Sequence, residues 1–442
     1  MTRVIGCHAR APGAAAHRLA SWKARAASPD GDAGTRLLLR EPLLAVLVAA
    51  GARPPVHCAE RPDGSFAVLD GEVHNAAELA AGARAAAANP AELALALYLA
   101  RGEEAFESLD GAWTTAVYDA AQESLLVVRD RWGAAPIFFA EVPDGCLWAS
   151  HLGALLRAGV PGEMDLNALD FFLGNGFVPS PWTFAKEVRR VPPAHLLRLG
   201  SGPAELRRYW RPTGRPKLRL RPGEATDRFL ELFAGSLRRR WSPGQRTGVL
   251  LSSGVDSKLI AAGLGKLAGF SPETFTFRYT NYEGEFNEVE EARRAARELG
   301  LVHYEIPFGP TDIAEHLEWL VRSYGEPFTY GLHSAMLGGV VGAGVEALLN
   351  GAGPDGWYLD RRNVHGLRWA LLPGPVRRLG AAAIPFLRRL EASRRPLRLW
   401  RLYAAAGRGA DFAEDVRWCA ETGLPIGFSS VILPERWRTQ FY

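Results

Sequence analysis

Residues 249–264 read VLLSSGVDSKLIAAGL. An apolar run stops at two serines and a glycine, an aspartate and a third serine follow, and the chain then takes up a helical pattern. Small residues at a strand-to-helix turn leave backbone N–H groups exposed, and the helix adds the positive end of its dipole. The product is an anion cradle. Ser252, Ser253 and Ser257 offer hydroxyl donors, and Gly254 permits close approach. The Walker pattern G-x-x-x-x-G-K-[ST] is absent, so a phosphate site here is of another kind. Asp256 would repel a bare phosphate. It makes sense beside Mg²⁺, which is usually held by one or two carboxylates together with phosphate oxygens. A second glycine-rich turn, LLNGAGPDGWY at 348–358, supplies Asp355. In a parallel sheet the two strand ends can lie side by side, and Asp256 and Asp355 would then share the metal. Each loop taken alone also reads as an ordinary tight turn. Lys258 would add a positive charge next to the loop, or else stand as a solvated first-turn lysine.

The elements that must position these residues follow from pattern. Strand-like 247–251 precedes a helical 256–268, TFTFRY (274–279) precedes a helical 287–299, and HYEIPF (303–308) precedes a helical 311–323. VEALLNGAG (345–353) is a further apolar run ending in glycines. Strands alternating with helices predict a parallel, doubly wound sheet, whose ligands sit beyond the carboxyl ends of the strands. The part before about residue 210 differs. SFAVLDGEV (65–73), TTAVYDA (114–120), SLLVVRD (124–130), IFFAEV (137–142) and CLWASH (146–151) are strand-length runs, with a helical stretch at 89–107. That predicts an α+β or layered sandwich domain. The Gly-, Pro- and charge-rich stretch 196–223 marks the boundary.

Composition narrows the class. A net charge of +4 over 442 residues argues against a dedicated nucleic-acid binder. The Arg-rich, aromatic stretch after residue 360 reads as helices with solvated basic faces. Cys7, Cys58, Cys146 and Cys419 form no C-x-x-C pair, so neither a disulfide framework nor a zinc site is expected. No apolar run approaches the roughly 18 residues that span a bilayer. EPLLAVLVAAGA (41–52) is shorter than that and reads as a buried element. The start lacks a secretory apolar core. The expectation is a cytoplasmic protein with no membrane or nucleic-acid partner.

Residues 249–257 resemble the pyrophosphatase loop, S-G-G-x-D-S, of the asparagine synthetase superfamily. VLDGEVHNAAEL (68–79) is similar to that family's N-G-E-I-Y-N-x-x-E-L. ALYLARGEEAFESLDGAWTTAVYD (96–119) and LLVVRDRWGAAPIFFA (125–140) resemble its glutaminase-type domain. NGFVPSPWTFAKEVRRVPPAHLLRL (175–199) and RYW (208–210) resemble its linker region. FNEVEEARRAARELGLVHYEI (286–306), GEPF (325–328) and NGAGPD (350–355) resemble its synthetase domain.

The resemblance implies a two-domain protein of mixed α/β and α+β class. Residues 1–210 would form an Ntn-type, class II amidotransferase-like sandwich. Residues 218–442 would form a doubly wound parallel-sheet ATP pyrophosphatase domain, shortened at its carboxyl end. In the family the first domain releases ammonia from glutamine, and the second adenylates a carboxylate with Mg-ATP and expels pyrophosphate. By resemblance Ser252, Ser253, Gly254, Asp256 and Ser257 hold pyrophosphate and metal, and Asp355 is the second Mg²⁺ ligand. Leu251 and Phe277 flank the adenine, and Asn350 and Gly351 contact the nucleotide.

Departures shape the functional expectation. Thr2 stands where the family has its nucleophilic cysteine, Asp70 where it has a glutamine-binding Asn, and Pro90 about where it has an Asp. Cys7 is expected as a buried thiol. Glutamine hydrolysis is therefore expected to be lost, as in β-lactam synthetases and lasso-peptide cyclases, where an amine of the substrate attacks the adenylate; the expected nucleophile here is ammonia or a substrate amine. Ala352 and Gly356 replace acidic or aromatic family residues, and the chain stops at Tyr442, before the family's helical stretch with its R-x-K-type lysine. A partner protein would then supply the missing elements, or the chain acts as a non-catalytic scaffold. The expected substrate is a small-molecule or peptide carboxylate. His303 is expected to be structural. Glu288 and Glu291 face either substrate or solvent, and Trp132, Trp182 and Trp210 are expected in the core.

Overall fold

The computed structural model describes residues 4–9, 35–40, 44–49, 56–83, 87–143, 145–175, 177–200, 202–211, 218–241, 244–280, 288–312, 314–317, 325–326, 337, 340 and 344–352, without the side chains of 9, 35–40, 44–49, 83, 174 and 175. Two compact units emerge: Met1–Leu169 with Val178–Leu220 and Glu318–Phe328, and Asp170–Phe177 with Arg221–Leu317 and Thr329–Tyr442.

The first unit holds β1 (Val4–Ala9), β2 (Thr35–Arg40), β3 (Leu44–Ala49), β4 (Val56–Glu60), β5 (Phe66–Val73), α1 (Ala76–Ala83), α2 (Pro90–Arg101) and α3 (Ala105–Ser108). It continues with β6 (Gly111–Asp119), β7 (Ser124–Arg129), β8 (Phe138–Val142), β9 (Gly145–Ala149) and α4 (Leu152–Arg157). After α5 (Leu166–Asn175), which runs on into the second unit, come β10 (Arg189–Arg190), β11 (His195–Leu199) and β12 (Glu205–Arg208). Two six-stranded antiparallel sheets form, ordered β10-β8-β9-β1-β3-β2 and β12-β11-β7-β6-β5-β4. The strands expected at 65–73, 114–120, 124–130, 137–142 and 146–151 are β5 to β9, and the apolar run at 41–52 contains β3.

Strand alternation explains the layering. Along β5, Phe66 and Val68 enter one apolar layer with Val4, Ala116, Leu125, Val127, Phe139, Trp148 and Leu197, drawn from both sheets. Ala67 and Leu69 point the other way, onto Leu93, Leu97 and Phe106 of α2 and α3. In the other sheet Ile5, Cys7, Leu147 and Ala149 pack against Leu152 and Leu155 of α4. Both faces of each sheet are thus covered, which is why these strands read as unbroken apolar runs. The order is helix, sheet, sheet, helix. Cys7 is the buried thiol that the sequence predicts. Pro90 opens α2, where Asn89 caps the helix by accepting from the N–H groups of Ala91 (2.9 Å) and Glu92 (3.1 Å).

The RDRWG turn after β7 is held by buried ions that bond to backbone. Asp130 accepts from the N–H groups of Trp132 (2.9 Å), Ala134 (3.2 Å) and Ala135 (3.0 Å). Arg129 donates to the carbonyls of Gly133 (2.6 Å), Val191 (2.7 Å) and Ala135 (2.8 Å). Burial lowers the Arg129 guanidinium to about 9, with Arg190 adding to the effect. Trp132 departs from expectation: it is 49% exposed rather than in the core. The turn carries its indole to the rim, where it meets Trp210 edge-on at 5.0 Å while Arg131 covers the Trp210 ring at 5.4 Å. Trp182 and Trp210 are half-buried.

His195 gives a pH prediction. Its Nδ1–H donates to the Pro193 carbonyl at 2.7 Å, and burial pushes its pKa below the ordinary imidazole value. The unfolded state therefore binds the proton more readily. This contribution to stability is full above the unfolded pKa of about 6.5 and is lost as pH falls through the lower folded value. Urea unfolding at pH 7.5 and 5.5 should show a stability loss that His195→Gln reduces. An identical pH slope in the variant would count against it.

The second unit contains α6 (Pro222–Arg240), β13 (Thr247–Leu250), α7 (Val255–Ala268), β14 (Glu273–Tyr279), α8 (Val289–Leu299), β15 (His303–Phe308) and β16 (Ala347–Leu349). Its four strands are all parallel, in the order β15-β14-β13-β16. The helices α7 and α8 end on Gly269 and Gly300 in left-handed conformation (φ 74° and 66°), which a side chain would disfavour. Val249, Leu251, Ala261, Leu264, Ala292 and Ala296 form the core with Leu237 of α6. The chain leaves β13 for β14 on one side, while β16 pairs on the other. The carboxyl ends of β13 and β16 thus flank the point where strand order reverses, the usual ligand crevice of such sheets.

Candidate functional site

Two loops meet at that point. The first, Leu251–Gly254, follows β13 and caps α7. Leu251 is buried; its N–H donates to the Phe275 carbonyl (2.8 Å), and its own carbonyl accepts the Thr276 hydroxyl (2.6 Å). That fixes Leu251 against the carboxyl half of β14, where Phe277 is half-buried. Thr276 is outside the sequence expectations; it stands in TFTFRY between Thr274 and Arg278, and nothing in that pattern distinguishes it.

The serines organise the loop itself. Ser257, only 4% exposed, donates its hydroxyl to the Gly254 carbonyl (3.2 Å) and accepts from the Ser252 N–H (3.1 Å). The Ser252 and Ser257 hydroxyls bond to each other at 2.9 Å, and the Gly254 N–H donates to Ser252 Oγ (3.2 Å). Ser253 Oγ donates to the Glu288 carboxylate at the start of α8. The hydroxyls expected as anion donors are thus bonded to protein groups. What the loop offers a ligand is backbone: the first-turn amides of α7 have no intrahelical acceptor. Asp256, half-buried, lies in that turn, and so does the half-buried Lys258.

The second loop starts at the end of β16. β13 and β16 pair in parallel, Val249 opposite Leu349. Asn350 Oδ1 accepts from the Ala352 N–H at 2.9 Å, which closes a tight turn. Gly351 presses on the first loop: a Cβ there would lie 2.7 Å from the Ser257 N and 3.1 Å from both the carbonyl carbon and Cβ of Asp256. The structure thus brings Leu251, Ser252, Ser253, Gly254, Asp256, Ser257 and Lys258 together with Asn350 and Gly351. Asp355 lies outside the described residues. His303 opens β15 at the opposite end of the sheet, with its Nδ1 3.0 Å from Thr274 Oγ1.

The Gly351 contact makes a prediction. Gly351→Ala must push the second loop off the first turn of α7, since the nearest obstructing atom is the Ser257 backbone nitrogen. On the expectation that the two loops hold a nucleotide, its affinity should fall about tenfold or more, the scale set by moving binding groups by about 1 Å, with secondary structure by circular dichroism unchanged. Unchanged nucleotide binding would mean that the loop contact has no part in the site.

The chain combines a layered antiparallel sandwich with a parallel-sheet unit that carries a small-residue, helix-capping loop at its switch point. Two families match these parts in turn. The glutamine amidotransferase domain family matches residues 43–210, and the asparagine synthase family matches residues 228–414. Together the two matches and the curated relatives support the asparagine synthetase superfamily. It is 24% identical to asparagine synthetase (glutamine-hydrolyzing) 3 of Bacillus subtilis, over 66% of this chain and 51% of that protein. It is 27% identical to a putative asparagine synthetase (glutamine-hydrolyzing) of Mycobacterium tuberculosis, over 72% of this chain and 52% of the other. It is 28% identical to the carboxyethyl-arginine beta-lactam-synthase of Streptomyces clavuligerus, over 58% and 47%. The chain spans about half the length of the relatives it matches. No described helix is long and apolar enough to cross a membrane.

Proposed function

We propose that this chain is an ATP-dependent synthetase that adenylates a carboxylate, releases pyrophosphate and delivers the acyl group to an amine. The observation that carries the reading is the seat of Gly351 against the first turn of α7, beyond two adjacent parallel strands. It supports a narrow crevice lined by helix-terminal amides, suited to a polyphosphate. The amides of that turn hold the departing pyrophosphate. Leu251 and Phe277 take the adenine, and Asn350 and Gly351 border the nucleotide. Asp256 would hold Mg²⁺, with Asp355 as its partner. The donor chemistry fits the ion: the Asp256 carboxylate stands in the first turn of α7, beside the helix-terminal amides, and is the hard oxygen ligand that Mg²⁺ takes together with phosphate oxygens. When bound, Mg²⁺ neutralises charge on the leaving pyrophosphate. Lys258 adds positive charge at the same turn.

The amine belongs to the substrate in this reading. Asp70 is buried in β5, and Pro90 serves as the first residue of α2, so neither stands ready to bind glutamine as the family pattern requires. The carboxylate is a small molecule or a peptide. ATP–pyrophosphate exchange with candidate acids, on the full chain alone and with proteins encoded beside it, tests the proposal. Exchange dependent on one acid is expected. Nucleotide binding without exchange under any pairing would instead assign a non-catalytic scaffold role.

A further inference from the structure

Ser253 stands where the S-G-G-x-D-S pattern has its first glycine, so this chain carries a hydroxyl that the pattern lacks. That hydroxyl donates to the carboxylate of Glu288, the residue that precedes α8. A serine hydroxyl has one proton. With it directed to Glu288, Ser253 has only lone pairs left and cannot donate to a phosphate oxygen. The same bond ties a carboxylate to the loop that leads into the helical turn bearing Asp256. An anion entering the cradle therefore meets two acidic side chains, one of them held in place through Ser253. A nucleotide whose charge is partly cancelled by a divalent cation is repelled less than a bare one.

We propose that Glu288, acting through Ser253, is a specificity-determining positioning residue that makes the loop discriminate metal-bound from metal-free nucleotide. This rests on the reading of the loop as a nucleotide site. Glu288→Gln keeps an oxygen to accept the Ser253 proton while removing the charge, so loop geometry is preserved. Ser253→Gly restores the pattern residue and unties the carboxylate.

The test is calorimetric titration of the full chain with ATP in excess MgCl₂ and in EDTA. The wild type should bind much more tightly with magnesium. Glu288→Gln should bind ATP in EDTA about tenfold more tightly than the wild type and change less than about threefold with magnesium. Ser253→Gly should shift the ratio in the same direction, and the double variant should add nothing to Glu288→Gln alone. A magnesium-to-EDTA ratio unmoved in both single variants would overturn this inference and leave the nucleotide reading standing. A wild type that binds ATP in neither condition would overturn both. A loss of ATP binding in Glu288→Gln with and without magnesium alike would also overturn it, since that is what a purely structural role predicts.

Discussion

Asparagine in place of Asp256 is expected to cut ATP–pyrophosphate exchange by about 10²–10³-fold, the scale of losing one preorganised electrostatic group at a reacting centre. The substitution is isosteric and removes only charge. Asp256 lies in the first turn of α7, half-buried, with the Gly351 backbone pressed against it, so the replacement amide stays in the same place. The folding cost is small by comparison. An acid near a helix N-terminus contributes about 0.3–1 kcal/mol, which the variant loses. Activity and stability should therefore separate: exchange collapses while the melting temperature moves by a few degrees at most. The assay uses the acid that supports exchange by the wild type, with magnesium varied. Raising magnesium should restore part of the rate if Asp256 acts through the ion. Exchange within threefold of wild type at limiting magnesium would remove Asp256 from the metal site.

How far the sequence could be read depended on the range of the interactions involved. The parallel sheet was legible because each βα unit carries its own signals. VLLSSG gives a buried strand and its exit, and Gly269 and Gly300 mark helix ends by local backbone chemistry. The sandwich was legible because β5 and β7 are apolar on both faces and could only be covered sheets. The strand-to-helix turn at 251–254 is legible from residue types, but the bonds its serines make are not. Whether Ser257 donates to a ligand or to Gly254 depends on a turn of a few residues that composition does not specify. Glu288 was undecided between substrate and solvent, because its partner Ser253 lies 35 residues away. Trp132 was misplaced because an aromatic in an apolar stretch reads as core, whereas the Asp130 turn carries it outward. The GEPF motif shows the same limit. It resembles a synthetase-domain element, and its described residues Gly325 and Glu326 group with the first compact unit. Glu326 finds Arg190 there, 136 residues earlier in the chain.

Removal of that partner gives the largest stability effect expected here. Glu326 is 5% exposed; its carboxylate pairs with Arg190 and accepts from the Phe184 N–H at 2.7 Å. Arg190 also donates to the Val178 carbonyl (3.0 Å) and lies over the Phe138 ring at 5.3 Å. Burial raises the pKa of Glu326 above the ordinary carboxylate range, and Arg190, pulling the other way, does not cancel it. The folded state thus binds this proton more tightly than the unfolded one. Stability from this group falls as pH rises from the unfolded value of about 4.3 through the higher folded value. The ionised pair is accordingly no net source of stability against an apolar pair of similar shape. Cutting it in half is another matter, because Glu326→Ala leaves the largely buried Arg190 guanidinium without its counter-charge and the Phe184 N–H without an acceptor. Breaking a buried pair in this way costs about 3–5 kcal/mol. The double variant Glu326→Ala, Arg190→Met removes the orphaned charge and should recover most of that loss. Urea unfolding of the wild type, both single variants and the double variant measures the coupling directly. A cost below about 1 kcal/mol for Glu326→Ala, the level of an exposed pair, or a double variant as unstable as the sum of the singles, would show that the segment at 325–326 is not held to the first unit by this pair.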